Sequence, residues 1–176
     1  MAAKNRVFII FFIIFSLNIY SQKRILSLTP SITKILFHLD MENSIVGVTD
    51  FCEFNGKVKK LVDEGKIKRV SGFNTINYEK ILLLEPDIII GMDSVSMETK
   101  NRLDKLFNNK KIFWFKHPQN FNEIKSQIIE IGKIVDNQKK SIEIVKYIDD
   151  QLNDIQKKID LIPEIKKPKV LVEIFY

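Results

Sequence analysis

At 176 residues the chain is long enough for one ordinary domain with a substantial core, and 45% of its residues are hydrophobic. Its formal net charge of +6, from 28 basic against 22 acidic residues, is too mild and too interspersed to mark a nucleic-acid protein. One cysteine, Cys52, excludes an intramolecular disulfide.

Residues 1–22 read as a secretory signal peptide. Lys4 and Arg6 make a positive start, Val7 to Phe15 is an unbroken apolar run, and Ser16 to Gln22 turns more polar with Ile19 and Ser21 in a cleavage pattern. The run is short of the roughly 20 apolar residues that a membrane span needs. Lys4 and Arg6 are two of the 28 basic residues, so without the leader the excess over the 22 acidic ones falls to about four. The cluster Lys57, Lys59, Lys60, Lys66, Lys68 and Arg69 is broken by Asp63 and Glu64 and lacks interleaved aromatics, so it reads as a solvated face. No cysteine stands at the cleavage point to carry a lipid. A soluble extracytoplasmic protein, in the periplasm, is the expectation.

Past the leader, short apolar runs alternate with helical patterns. Arg24 to Leu28 predicts a strand covered on both faces. Thr29 is placed to cap a helix, Pro30 suits its first position, and Ile32, Ile35, Leu36 and Leu39 form its inward stripe. His38 lies beside that stripe as a surface or packing residue. Ser44 to Val48 predicts a second strand, Lys57 to Glu64 a short helix or irregular crossover, and Lys68 to Ser71 a weak third strand. Gly72-Phe73-Asn74 reads as a turn, Asn77 as the cap of a helix over Tyr78 to Leu84, and Pro86 as its stop. Asp87 to Gly91 is the clearest buried strand, Ser96 to Phe107 a helix with Leu103, Leu106 and Phe107 inward, and Lys111 to Phe115 a fifth strand. Such alternation implies βαβ units and a mainly parallel, doubly wound α/β sheet.

From Asn120 the pattern is helical only. Phe121, Ile124, Ile128, Ile131 and Val135 form one stripe, and Asp136-Asn137 makes a break. Val145, Ile148, Leu152, Ile155, Ile159 and Ile162 then give a narrow stripe, predicting a long helix that lies along a surface. Lys169 to Tyr176, KVLVEIFY, reads as a last strand. The expected segments are therefore 1–22 as signal, 23–118 as an α/β lobe, 119–162 as a helical segment, and 163–176 as the start of something further.

Catalytic constellations are scarce. There is no GxGxxG, Walker lysine loop, HExxH or CxxC, and the two histidines, His38 and His117, are far apart. No catalytic residue and no metal ligand is assigned, and an enzyme is not expected. What repeats instead is a polar or aromatic residue at each strand end: Thr29 and Ser31, then Asp50, Phe51 and Cys52, then Phe73 and Asn74, then Met92 and Asp93, and finally His117. In a parallel sheet these ends converge, and the mixture suits holding a large, partly apolar ligand.

The blocks RILSLTPSITKILF, IVGVTDFCEF and VSGFNTINYEKILLLEPDIIIG resemble the N-terminal lobe of the periplasmic ABC-transporter binding proteins for cobalamin, haem and ferric siderophores, and within them the cobalamin-binding branch. The resemblance runs from Arg24 to Ile162. It implies two α/β lobes joined by a long helix, here Asn137 to Ile162, with the first strand of a truncated second lobe in KVLVEIFY. It implies a noncovalently held chelate, cobalamin, haem or a ferric siderophore, passed to an ABC permease and through it to an ATPase, with no nucleic acid involved. By the same resemblance Phe51 falls at an often aromatic ligand-facing position, Phe73 where a tryptophan can stack, and Glu98, with Lys100 in the neighbouring register, near the acidic residue that docks on permease arginines. Cys52-Glu53-Phe54 is similar to the family's Cys-Asp-Tyr-Pro, with Asn55 in place of the proline. The alternative is a truncated remnant that serves as an interaction module without transport.

Overall fold

The computed structural model describes residues 22–71, 75–108, 111–163 and 168. The segment expected to be a signal peptide, apart from Gln22, lies outside the described residues, as do Phe73, Asn74 and the segment KVLVEIFY expected to be a strand.

Among the described residues five parallel strands form one sheet: β1 (Ile25–Ser27), β2 (Ile45–Thr49), β3 (Lys68–Ser71), β4 (Ile88–Met92) and β5 (Lys111–Phe115). Their order across the sheet is β3-β2-β1-β4-β5. The five strands predicted between Arg24 and Phe115 are present within a residue or two. β4 runs one residue beyond its glycine, so Met92 ends the strand.

Alternation of side chains about the strands builds two apolar layers. On one face Ile25, Ile88, Ile90 and Met92 meet Ile32 and Leu36 of α1 (Pro30–His38), Val58 of α2 (Lys57–Asp63) and Ile131 of α5 (Phe121–Ile134). On the other, Leu26, Ile89 and Val70 meet Ile81 of α3 (Tyr78–Leu83) and Leu103 of α4 (Met97–Leu106). Each fully buried leucine or isoleucine contributes about 1.5–3 kcal/mol by leaving water, so the doubly wound sheet is the stable centre of the chain.

The caps follow the sequence in part. Asn77, Ser96 and Asn120 each accept a hydrogen bond from a backbone amide in the first turn of α3, α4 and α5. Thr29 holds the cap position of α1 but its hydroxyl makes no capping bond. Two apolar residues expected inward are not: Leu106 is 39% exposed and Phe121 59% exposed. Both sit at a helix terminus, Leu106 beside the buried Phe107 and Phe121 as the first residue of α5.

After Asp136, which has positive φ, α6 (Gln138–Asp160) folds back on α5. The hairpin is tied by Lys125 to Asp149 at 2.7 Å, and it is fastened to the end of α1 by the Asn137 side-chain amide, which donates to the Leu39 carbonyl at 2.8 Å. It is close because Gly132 faces the buried Ser141, leaving no room for a side chain between them. Beyond Ser141, α6 has no buried residue, and Ile155 and Ile159 of the stripe expected to lie on a surface are 51% and 40% exposed among the described residues. At the far edge of the sheet β5 pairs with β4 alone among the described residues, and it carries Ile112, Phe113 and Trp114 between Lys111 and Lys116.

Candidate ligand-binding site

Parallel pairing brings the C-terminal ends of all five strands to one edge, and β1 lies beside β4, where the direction of winding reverses. Loops leaving the two strands there turn to opposite faces and open a crevice. An open cleft of about 570 Å³ occupies this place. It is lined by Leu28, Thr29 and Pro30 after β1, Thr49 and Phe51 after β2, Ser71, Thr75 and Ile76 from β3 onward, and Val95 and Thr99 after β4. None of these side chains is charged. Thr29, Thr49, Ser71, Thr75 and Thr99 carry hydroxyls, while Leu28, Ile76, Val95 and Phe51 supply apolar surface.

Phe51 is presented by a tight turn. The Cys52 amide donates to the Thr49 carbonyl at 3.1 Å, which leaves Asp50 and Phe51 as the two central residues. The Phe51 ring is 54% exposed. Beneath it Cys52 is fully buried, with its sulfur 3.1 Å from the Thr49 hydroxyl. Phe54, three residues on, is spent on structure: its ring packs 5.2 Å from Phe37 and edge-on to His38 at 5.0 Å. His38 is thus a packing residue on the surface, as expected.

The strand-end residues separate into three groups. Thr29 and Phe51 line the cleft. The Thr29 hydroxyl oxygen is buried with no hydrogen-bond partner among the described residues, although its carbonyl accepts from the Thr33 hydroxyl at 3.1 Å. Ser31, Asp50, Asp93 and His117 stand outside the lining. Ser31 is exposed on the first turn of α1 and Asp50 is exposed on the turn. The Asp93 carbonyl accepts from the Lys100 ammonium at 2.6 Å. His117 Nε2 lies 3.1 Å from the Ser94 hydroxyl, joining the loops after β4 and β5. Cys52 and Met92 are corrections to the expected contact set: at 0% and 1% exposure they belong to the core and offer no surface to a ligand. The reason is positional, since Cys52 closes the turn from below and Met92 is still within the strand.

Sequence reasoning missed Thr49, Ser71, Thr75, Ile76, Val95 and Thr99. Their signal was proximity to a strand end, obscured by small side chains that also suit turns. An antiparallel bridge between Ser71 and Ile76 folds Ile76 back to the cleft. A second cleft, of about 620 Å³, shares Thr75, Ile76 and Thr99 and adds Glu79, Glu98 and Arg102. Glu98 is exposed on the first turn of α4, whereas Lys100 in the neighbouring register is tied down, its ammonium 5.6 Å from the Trp114 ring centre.

A parallel sheet with its crevice at the switch point is common to many folds, so the decisive observation is the sequence pattern that accompanies it. The pattern of the family described as periplasmic binding protein matches residues 25–175. The chain belongs to that family. An uncharacterized ABC transporter substrate-binding lipoprotein of Bacillus subtilis, YvrC, is 29% identical over 153 residues, covering 86% of this chain and 46% of YvrC. A vitamin B12-binding protein of Vibrio cholerae is 34% identical over 71 residues, 40% of this chain and 24% of that protein. The crystal structure of a possible iron-binding, periplasmic solute-binding protein from Staphylococcus epidermidis superimposes with a TM-score of 0.66 at 29% identity, covering 80% of this chain and 52% of that one. The chain of this periplasmic binding protein family member thus spans about half the length of the Bacillus and Staphylococcus relatives.

Proposed function

We propose that the chain is the ligand-capturing part of an ABC importer's substrate-binding component, which takes up cobalamin outside the cytoplasm and delivers it to a membrane permease coupled to an ATPase. In this reading the five-stranded sheet and its helices are one lobe, α6 is the connecting helix, and the ligand lies between the crevice and a second lobe. The protein binds and hands over; it catalyses nothing.

The observation that carries the choice of ligand is the uncharged, hydroxyl-bearing lining beside a half-exposed aromatic ring. A flat macrocycle edged with neutral amides matches it, because Phe51 can lie against the ring while threonine and serine hydroxyls donate to and accept from amides. Haem, with its carboxylates, and anionic iron chelates would draw on cations, which the described lining does not supply. Residues 24–91 carry the blocks that resemble the cobalamin branch, and the Vibrio cholerae relative is named for vitamin B12.

Equilibrium dialysis against cyanocobalamin, haemin and a ferric siderophore tests the proposal. Cyanocobalamin should be retained at micromolar concentration and Phe51→Ala should weaken it about tenfold, the loss of one stacked aromatic contact. Retention of haemin or the siderophore in preference to cyanocobalamin would overturn the ligand assignment. Glu98→Lys should leave dialysis unchanged and reduce uptake in vesicles carrying the permease, if Glu98 serves docking.

A further inference from the structure

The turn that displays Phe51 is held from the side by a residue twenty positions away. Arg69, on β3 opposite Val48, reaches forward over the end of β2. Its Nη1 donates toward three backbone carbonyls of the same turn: Thr49 at 2.9 Å, Asp50 at 3.0 Å and Cys52 at 3.3 Å. Its Nη2 lies 3.9 Å from the Glu53 carboxylate, and Glu53 in turn accepts from the Phe54 amide at 2.8 Å. These carbonyls lie on either side of Phe51, so the guanidinium spans the residue that projects.

We propose that Arg69 is a positioning residue for ligand binding, whose guanidinium fixes the 49–52 turn so that Phe51 stands ready over the crevice. Three features of the geometry support it. A guanidinium holds its donors on separate nitrogens in one plane, so Nη1 can face the turn carbonyls while Nη2 faces the Glu53 carboxylate, a spread that the single nitrogen of an ammonium lacks. Hydrogen bonds from a charged donor are stronger than neutral ones. Within the turn itself the Cys52 amide donates to the Thr49 carbonyl and their side chains touch, so the guanidinium adds the links that reach it from β3. With the guanidinium removed, Phe51 would have to be ordered at the moment of binding, which reduces affinity without changing any ligand contact.

The proposal rests on the reading of the crevice as the ligand site, and one arm of its test does not depend on that reading. In the ligand-free protein, Arg69→Met should speed hydrogen exchange at the Cys52 amide while leaving the amide of Ile89, in the sheet centre, unchanged. In the second arm cyanocobalamin is the probe, and its retention is compared for the wild type, Arg69→Met, Phe51→Ala and the double variant. Arg69→Met should weaken retention about tenfold, and in the Phe51→Ala background it should cost almost nothing more, since a positioning residue has no effect once its client is gone. Arg69→Lys should recover only part of the loss. Equal losses with and without Phe51 would overturn the proposal, as would unchanged exchange at Cys52 in Arg69→Met. If the wild type retains no cyanocobalamin, the ligand reading fails, and the exchange arm still decides whether Arg69 holds the turn.

Discussion

Replacing Gly132 with alanine sets two effects of opposite sign against each other. Gly132 is interior to α5, so alanine should favour the helix by about 1 kcal/mol. The added Cβ, however, would stand 2.5 Å from the Ser141 Cβ and 3.2 Å from the Asn137 carbonyl oxygen. Ordinary carbon contacts are about 3.5–4.0 Å. Neither obstacle is the end of a flexible chain; both belong to the start of α6, which must retreat by about 1 Å. That retreat stretches the bond from the Asn137 amide to the Gly132 carbonyl, now 2.7 Å. Overpacking of this kind costs about 1–3 kcal/mol, so Gly132→Ala should be net destabilising by up to about 2 kcal/mol. In a chain of this size the melting temperature should fall by up to roughly 8 °C. Urea unfolding should show a lower midpoint with an unchanged slope. Adding Ser141→Gly should return most of the steric part, giving a favourable coupling between the two sites. A variant more stable than the wild type would refute the reasoning, because propensity alone would then govern the site.

Three further outcomes follow from the described contacts. Leu103→Ala, at a fully buried position between α4 and the sheet, should cost about 2–5 kcal/mol in a urea titration. Asn77→Ala removes the acceptor for the Lys80 amide at 2.9 Å and should cost about 1 kcal/mol, which Asn77→Asp should largely avoid. Lys140 is held above the ordinary lysine value by its hydrogen bond to Asp40, 2.7 Å away, with the charge of Asp40 adding to it. A raised pKa means that its contribution is complete below the ordinary lysine range and fades as pH rises through the raised value. Lys140→Met should therefore flatten the alkaline limb of the stability profile, read from thermal melts between neutral pH and strongly alkaline buffer.

The sheet was legible because its strands are short apolar runs with firm punctuation. Pro86 and Gly91 bracket β4, and Thr29-Pro30 closes off β1. Periodicity misled at Leu106 and Phe121, which stand at helix termini, and along Ile155, Ile159 and Ile162, which no described residue buries. The site was less legible for a different reason. Sequence places a residue at a strand end without saying which way it turns, so Phe51 and Cys52, adjacent in the chain, looked alike as contacts, yet one projects and the other is buried. Arg69 was lost in a basic cluster because its partners are backbone carbonyls about twenty residues away, an interaction that leaves no mark in side-chain pattern.

The aromatic strand β5, at the edge of the sheet among the described residues, has a bearing on how the protein behaves at high concentration. Ile112, Phe113, Trp114 and Phe115 combine high strand propensity with low charge, the composition that templates pairing between copies. Lys111 opens the strand and Lys116 follows it. Two chains aligned along this edge would bring those ammonium groups together, so the lysines act as gatekeepers that keep the edge soluble. Replacing either lysine with a neutral residue should thus lower the concentration at which copies begin to associate.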